Sequence, residues 1–182
     1  MVTDAELIER SLVDGEAFAL LFDRHFRAIH RFLRGRVGVE LADDLASETF
    51  VVAFRRRLAY DLSREDTRPW LYGIAVNLMR DHRRSEERRL RAYVLAAAGE
   101  RSAGEIEEPL DPTVAGALLR LSKPERDLVL LHAWADLSYE QLAEALALPL
   151  GTVRSRLSRA KTKLRASLEL PETALVPGGE TS

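Results

Sequence analysis

The residues best suited to chemistry in this chain lie between Gly151 and Leu168, a stretch with six basic residues and no acidic one. At 100° per residue, Val153, Leu157, Ala160, Leu164 and Leu168 form one narrow apolar stripe. Thr152, Arg154, Ser155, Arg156, Ser158, Arg159, Lys161, Thr162 and Arg165 lie on the other sides. Arginine and lysine bind phosphate, while arginine, serine and threonine can read base edges. An ordinary solvated helix face would interleave Glu with Lys or Arg for pairing, and this stretch does not. Just upstream, Ser138-Tyr139-Glu140-Gln141 has the Ser-x-x-Gln spacing of a capping box and opens a short helix through Leu142, Ala143 and Leu146. Pro149 and Gly151 punctuate the turn between the two. A short helix, a tight turn and a basic amphipathic helix place the second helix in a major groove, so this segment predicts DNA binding by a helix-turn-helix.

A second set of residues follows Pro69. Leu71, Ile74, Ala75 and Leu78 form an apolar stripe, and Trp70, Gly73, Asn77, Arg80 and Arg84 fall on an adjacent face. An aromatic to stack on a base, an amide to read its edge and guanidinium groups for phosphate would suit single-stranded nucleic acid. A buried Trp70 beside solvated arginines is equally compatible with these positions. The preceding loop, Asp61 to Arg68, offers hydrogen-bonding side chains, Asp61 and Ser63 among them, that could surround an unstacked base.

Other constellations lead away from catalysis. Asp43, Asp44 and Glu48 lack a matching carboxylate set, so they are read as helix capping or a protein contact rather than a metal site. His25, His30, His82 and His132 do not have metal-ligand spacing. There is no Gly-rich phosphate loop, Gly-x-Ser-x-Gly or His-Glu-x-x-His, and no cysteine. Neither enzymatic activity nor a metal or other cofactor is expected.

The elements that must position these residues are helices. Phe18, Leu21, Phe22, Ile29, Phe32 and Leu33 mark a long amphipathic helix ending near Gly35 or Gly38. A second helix runs from about Ala42 to Leu58, acidic early and basic at Arg55 to Arg57, an order that complements the helix dipole. Pro69 starts a third. From Gly99 to Pro112, five acidic residues face one Arg among two glycines and two prolines, which is linker composition. Asp111-Pro112-Thr113 restarts helical patterning, and Ser122-Lys123-Pro124-Glu125 is another capping box, opening a helix with Leu128, Leu131 and Trp134.

The 182 residues are thus read as all-α, in two small helical domains joined by a flexible acidic linker. The boundaries are 1–87 and 113–168 for the domains, 88–112 for the linker and 169–182 for a disordered tail. Hydrophobic residues make up 46% and charged residues 31%, as in a solvated helical protein. The net charge of −2 exerts no global pull on nucleic acid, but basic residues concentrate around Arg55–Arg57, Arg80–Arg91 and Arg154–Arg165. The first residues lack the pattern of a signal peptide, and no apolar run approaches a membrane span. A cytoplasmic protein without membrane insertion is expected.

Two separate segments resemble one family. Ala42-Asp43-Asp44-Leu45-Ala46-Ser47-Glu48-Thr49-Phe50 and Pro69-Trp70-Leu71-Tyr72-Gly73-Ile74-Ala75-Val76-Asn77-Leu78 are similar to region 2 of bacterial RNA polymerase sigma factors of the sigma-70 family, extracytoplasmic-function class. Leu137 to Ala143 with Gly151-Thr152-Val153-Arg154-Ser155-Arg156-Leu157 resembles region 4. The resemblance covers roughly residues 15 to 168. It implies a transcription initiation factor that binds core RNA polymerase and promoter DNA, with an anti-sigma factor as a further partner. It also implies residue roles. Asp43, Asp44, Glu48, Phe50 and Phe54 would dock on the polymerase. Asp61, Ser63, Arg68, Trp70, Asn77, Arg80 and Arg84 would hold the melted −10 element. Thr152, Arg154, Ser155, Arg156, Ser158, Arg159, Lys161 and Arg165 would contact the −35 element. Ser47 stands where the family often has Gln, and Gly73 where a basic residue is common. A DNA-binding regulator of the LuxR type has a similar Thr-Val-x-Ser-Arg segment, but that reading leaves Asp43–Phe54 and Trp70–Arg84 without a role. A helical adaptor without a nucleic-acid role leaves the acid-free basic helix unexplained.

Overall fold

The computed structural model describes residues 2–80, 82–97 and 110–168, without the side chains of 83–85, 96 and 97. Among the described residues there are nine α-helices, one 3-10 turn and no strand. The linker residues 98–109, Asp81 and the tail 169–182 lie outside the described residues, as does the side chain of Arg84. Chain contacts group the helices into two compact units, residues 1–85 with 143–147 and residues 86–142 with those from 148 onward.

The first unit opens with α1 (Asp4–Ser11), an element that the sequence reading does not include. Thr3 caps it: the Glu6 N–H donates to Thr3 Oγ1 at 3.2 Å, and the Thr3 N–H donates to Glu6 Oε2 at 2.9 Å. Leu7 and Ile8 are buried beneath it. Next comes α2 (Ala17–Val37), which stops at Gly38 with φ 95°, a conformation that favours glycine. Gly35, the other expected stop, stays inside the helix.

The following helix, α3 (Val39–Arg56), starts directly after Gly38, three residues before the expected Ala42. A 3-10 turn at Arg57–Ala59 finishes it. Ala42, Leu45, Ala46, Thr49, Phe50 and Ala53 recur at three- and four-residue spacing and pack toward α2. The last helix of this unit, α4 (Arg68–Arg80), buries Leu71, Tyr72, Ile74, Ala75, Val76 and Met79, a wider face than the expected stripe. Its Tyr72 meets Phe32 of α2 edge-on, with ring centroids 5.2 Å apart.

The second unit takes most of α5 (Arg83–Ala97), from Glu86 onward, and this helix runs through the first ten residues of the stretch read as linker. Leu90 and Tyr93 are buried there. Glu86 forms a buried ion pair with Arg126 at 3.4 Å, and the same guanidinium donates from Nε to the Leu118 carbonyl at 2.9 Å. Arg126 belongs to α7 (Lys123–Trp134), and Leu118 to α6 (Pro112–Arg120). Asp111 caps α6 by accepting from the Thr113 N–H at 2.7 Å. Ser122 starts α7, its N–H and hydroxyl both donating to Glu125 Oε2. Both N-termini follow the sequence signals. Then follow α8 (Tyr139–Ala145) and α9 (Leu150–Leu168), the latter packing its stripe Val153, Leu157, Ala160 and Leu164 against α6 and α7.

Candidate nucleic-acid interface

On α9 the apolar stripe faces inward, which turns the basic side chains out. Arg154, Ser155, Ser158 and Arg159 are exposed on the first half of the helix. The Ser155 hydroxyl donates to the Thr152 carbonyl at 3.2 Å, and Arg159 Nε to the Ser155 carbonyl at 3.2 Å. Glu140 of α8 lies 3.7 Å from Arg154 Nη2, with both side chains well exposed. Thr152, Arg156, Lys161 and Arg165 are only half-exposed. Lys161 Nζ donates to the Tyr139 hydroxyl at 3.5 Å, which ties the end of this face back to α8.

The short helix ahead of it is capped as expected, the Ser138 N–H donating to Gln141 Oε1 at 2.9 Å and the Gln141 N–H to Ser138 Oγ at 3.2 Å. The turn is placed differently from expectation. It spans residues 146–149, with Ala147 in the left-handed region at φ 51°, while Gly151 lies inside the first turn of α9. Pro149 ends the turn, and its carbonyl accepts from the Thr152 and Val153 N–H groups. Chain direction in the turn thus comes from a residue that gives no turn signal, at a cost of about 1 kcal/mol for the left-handed alanine.

In the first unit, the loop between the 3-10 turn and α4 is an ordered structure. Asp61 Oδ1 accepts from the Ser63 N–H at 3.1 Å and from its hydroxyl at 2.7 Å, and Arg64 Nε donates to Asp61 Oδ2 at 3.3 Å. The two Ser63 bonds, with the Arg64 charge, hold the exposed Asp61 carboxyl below its usual range. Tyr60 closes the loop from below, its hydroxyl donating to the Arg64 carbonyl at 2.7 Å. Burial pushes that hydroxyl far above its usual range, so it remains a donor. Asp61, Ser63, Arg64 and Glu65 are left exposed.

Arg68 is paired with the neighbouring Asp66, and both side chains stay partly exposed. Its Nη2 donates to Asp66 Oδ2 at 2.8 Å, and its Nε lies 3.0 Å from the same oxygen. Trp70 lies between the two sequence readings. It is half-buried, its ring 4.9 Å from that of Tyr60, so one part packs and the rest is accessible. Asn77 and Arg80 are exposed and joined, Arg80 Nη1 donating to Asn77 Oδ1 at 2.8 Å.

The acidic face of α3 also divides. Asp43, Asp44, Glu48 and Phe54 are exposed, but Phe50 is 4% exposed and belongs to the core. Its ring meets Phe22 edge-on at 5.0 Å and Phe26 at 6.0 Å. Phe54 sits at the rim, between an edge-on contact with Phe18 at 5.3 Å and the Arg57 guanidinium 3.7 Å from its ring centre. Phe18, Phe22, Ser47, Phe50, Val51 and Phe54 line an apolar groove between α2 and α3. At the far end of the aromatic row, His30 stacks near Phe26 and bonds Asp43 through Nε2 at 2.7 Å. The groove is absent from the sequence reading, which considered His30 only as a metal ligand. Only the apolar spacing of Phe18 and Phe22 on α2 against Phe50 and Phe54 on α3 could have indicated the groove.

Comparison with known proteins gives these surfaces a context. Residues 21–89 match the family description "Sigma-70 region 2", and residues 113–164 match "Sigma-70, region 4". RNA polymerase sigma factor NccH of Alcaligenes xylosoxydans xylosoxydans is 30% identical over 90% of this chain and 94% of its own length. ECF RNA polymerase sigma factor SigC of Mycobacterium tuberculosis is 30% identical over 86% of this chain and 85% of its own. Among solved structures, CnrH in complex with the cytosolic domain of CnrY is similar at a TM-score of 0.69 and 28% identity. That match covers 91% of this chain and 97% of CnrH.

Proposed function

The chain belongs to the sigma-70 family, in its extracytoplasmic-function group, and we propose that its three exposed surfaces divide the work of promoter-directed transcription initiation. The observation that carries this reading is the exposed, acid-free first half of α9, where Arg154, Ser155, Ser158 and Arg159 stand on one side of a helix-turn-helix. That half-helix reads the −35 element, since helix-turn-helix proteins contact base edges with the N-terminal part of the second helix. Lys161 and Arg165, farther along and half-buried, meet phosphate.

The loop carrying Asp61 and Ser63, with the open part of Trp70 and the Asn77–Arg80 pair, holds unpaired bases of the −10 element. Stacking and a few hydrogen bonds are what single-strand recognition needs. Core RNA polymerase docks on the α2–α3 groove, an apolar floor with Phe54 at its rim and Asp43, Asp44 and Glu48 on the same helix. This pattern of aromatic anchors bordered by charge is common in protein interfaces. An anti-sigma factor is a further partner. The solved structure of CnrH with the cytosolic domain of CnrY is of a protein similar to this one along nearly its full length. No catalytic step is assigned to the chain, and it acts in the cytoplasm, where polymerase meets the chromosome. Among the described residues, no helix is long and apolar enough to cross a membrane.

Reconstitution tests the whole reading. Mixed with core RNA polymerase and a promoter library, the full chain should form a one-to-one complex that starts transcripts at discrete sites. A protein that binds the promoters alone but leaves core polymerase unbound would refute it.

A further inference from the structure

At the base of the −10 loop lies a buried polar cluster with no role in the surfaces described above. Asp4, at the start of α1, is 7% exposed. Its Oδ2 accepts from the Thr67 hydroxyl at 2.7 Å, from the Thr67 N–H at 3.3 Å and from His25 Nε2 at 2.7 Å, and its Oδ1 accepts from Arg24 Nη1. Arg24 also donates to the Val2 carbonyl at 3.2 Å. The donors come from α2 and from the residue that joins the loop to α4, so one carboxylate ties three segments of chain together. Burial would raise the Asp4 carboxyl, but the bonds from His25 and Thr67 and the nearby positive charges outweigh it and hold it far below the usual range. The group is therefore a permanent acceptor.

We propose that Asp4 is a positioning residue for recognition of the −10 element, fastening the loop of residues 61–66 in its base-holding shape through Thr67. This inference rests on the reading of that loop as the −10 site. Thr67 is fully buried, and its carbonyl accepts the Leu71 N–H at 2.9 Å, so it sets both where the loop ends and where α4 begins. Trp70 follows three residues later. The loop has further fastenings: within residues 60–68 the Tyr60 hydroxyl at the Arg64 carbonyl, the Asp61 bonds to Ser63 and Arg64 and the Asp66–Arg68 pair, and on its exposed side an ion pair between Arg64 and Glu144. The Asp4–Thr67 bonds are different because they are buried and tie the end of the loop to α1 and, through Asp4, to α2. A loop ordered in advance loses little conformational freedom when it captures a base, which raises affinity for the correct one. Without the anchor, part of that ordering would have to be supplied by the DNA itself.

The test uses full-length Thr67→Val, Thr67→Ser and Asp4→Asn, each assembled with core polymerase. Thr67→Val keeps the side-chain shape and removes one hydroxyl, so the core stays filled. The probe is a fork-junction DNA carrying the −10 sequence recovered from polymerase-bound DNA, intact or abasic at each non-template position. Wild type should prefer intact over abasic DNA at one or two positions. Thr67→Val and Asp4→Asn should lose most of that preference, roughly tenfold for one charge-assisted hydrogen bond, with core-polymerase affinity unchanged. Thr67→Ser should restore it. Amide exchange in residues 61–67 should speed up in the same two variants while α2 and α3 stay protected. Variants that melt earlier yet keep the wild-type preference and wild-type loop exchange would overturn the inference and leave Asp4 a purely structural residue. A wild-type protein indifferent to every abasic site would instead refute the −10 reading of the loop, and this inference with it.

Discussion

Glu140 is the acidic side chain placed to compete with DNA for α9, and removing it should strengthen promoter binding. In the free protein its Oε1 lies 3.7 Å from Arg154 Nη2, with the two side chains 66% and 60% exposed. At that distance Coulomb attraction in water is about 1 kcal/mol, and exposure, screening and side-chain entropy reduce the net to a few tenths. A bidentate contact from Arg154 to a base would contribute about 1–3 kcal/mol, so DNA wins the competition, but the ion pair must break first. Glu140→Ala should therefore tighten binding by about two- to fivefold, part of it from lost repulsion between Glu140 and phosphate. Arg154→Ala should weaken it by about 1–3 kcal/mol and relax preference at one −35 position. In the Arg154→Ala background the Glu140→Ala gain should shrink to the phosphate part alone. The assay is competition binding of the holoenzyme to labelled promoter fragments that vary at the −35 element, at two salt concentrations. The Glu140 effect should diminish at the higher one. If Glu140→Ala weakened binding, or Arg154→Ala left preference at every −35 base intact, Arg154 would not be a base reader.

Phe50→Ala and Phe54→Ala should separate core from contact. The first removes a buried ring and should cost about 3–5 kcal/mol in urea unfolding, while the second should cost less stability but lower core-polymerase affinity in fluorescence titration. Asp43→Lys tests the same face by charge, and wild-type affinity in both Asp43→Lys and Phe54→Ala would rule out the face as the docking site. Glu86→Ala leaves the Arg126 guanidinium, 3% exposed, without its carboxylate and should destabilise the second unit by about 3–5 kcal/mol, whereas Glu86→Leu with Arg126→Met should recover most of that loss in a double-mutant cycle. For acid stability, burial would raise the Glu125 carboxyl, but Lys163 Nζ at 2.7 Å and the Ser122 donors lower it from 4.5 to about 2. A carboxyl lowered on folding stabilises above its unfolded value, so this contribution should fade as pH falls from about 4.5 to about 2, and Glu125→Gln should flatten that part of a pH-dependent thermal melt.

How much of the molecule was legible in the sequence depended on whether its signals were local. The stripes of α2, α3 and α9 and the caps at Asp111, Ser122 and Ser138 use residues two to four apart, so counting along the chain finds them. The short α1 carries a Thr-x-x-Glu cap of the same kind but only two turns of pattern, too little to stand out. In α5, Arg and Glu dominate and only Leu90 and Tyr93 are buried among the described apolar side chains, which reads as solvated chain until Arg126 is seen waiting for the buried Glu86, forty residues away. Phe50 and Phe54 share a side of α3, and no local rule says that Phe22 and Phe26 cover the first and leave the second at the rim.

The same distinction decides which charges can act on DNA. Counting arginines gives Arg24, Arg68, Arg126, Arg154 and Arg159 equal standing. The structure assigns Arg24 to Asp4, Arg68 to Asp66 and Arg126 to Glu86, each pair at least partly buried. A buried partner such as Glu86 or Asp4 withdraws its arginine from recognition, because breaking the pair would leave a desolvated carboxylate behind. Glu140 makes no such claim on Arg154, since both groups can be solvated again as soon as they part. A chain of net charge −2 can therefore present a strongly basic reading face, provided that its acidic residues pair inside the fold and lie off that face. Helix α9 meets that condition through its composition alone, so DNA reading could be proposed for it before its structure, whereas the loop proposed to hold the −10 element is tied to an acid 63 residues away from Thr67.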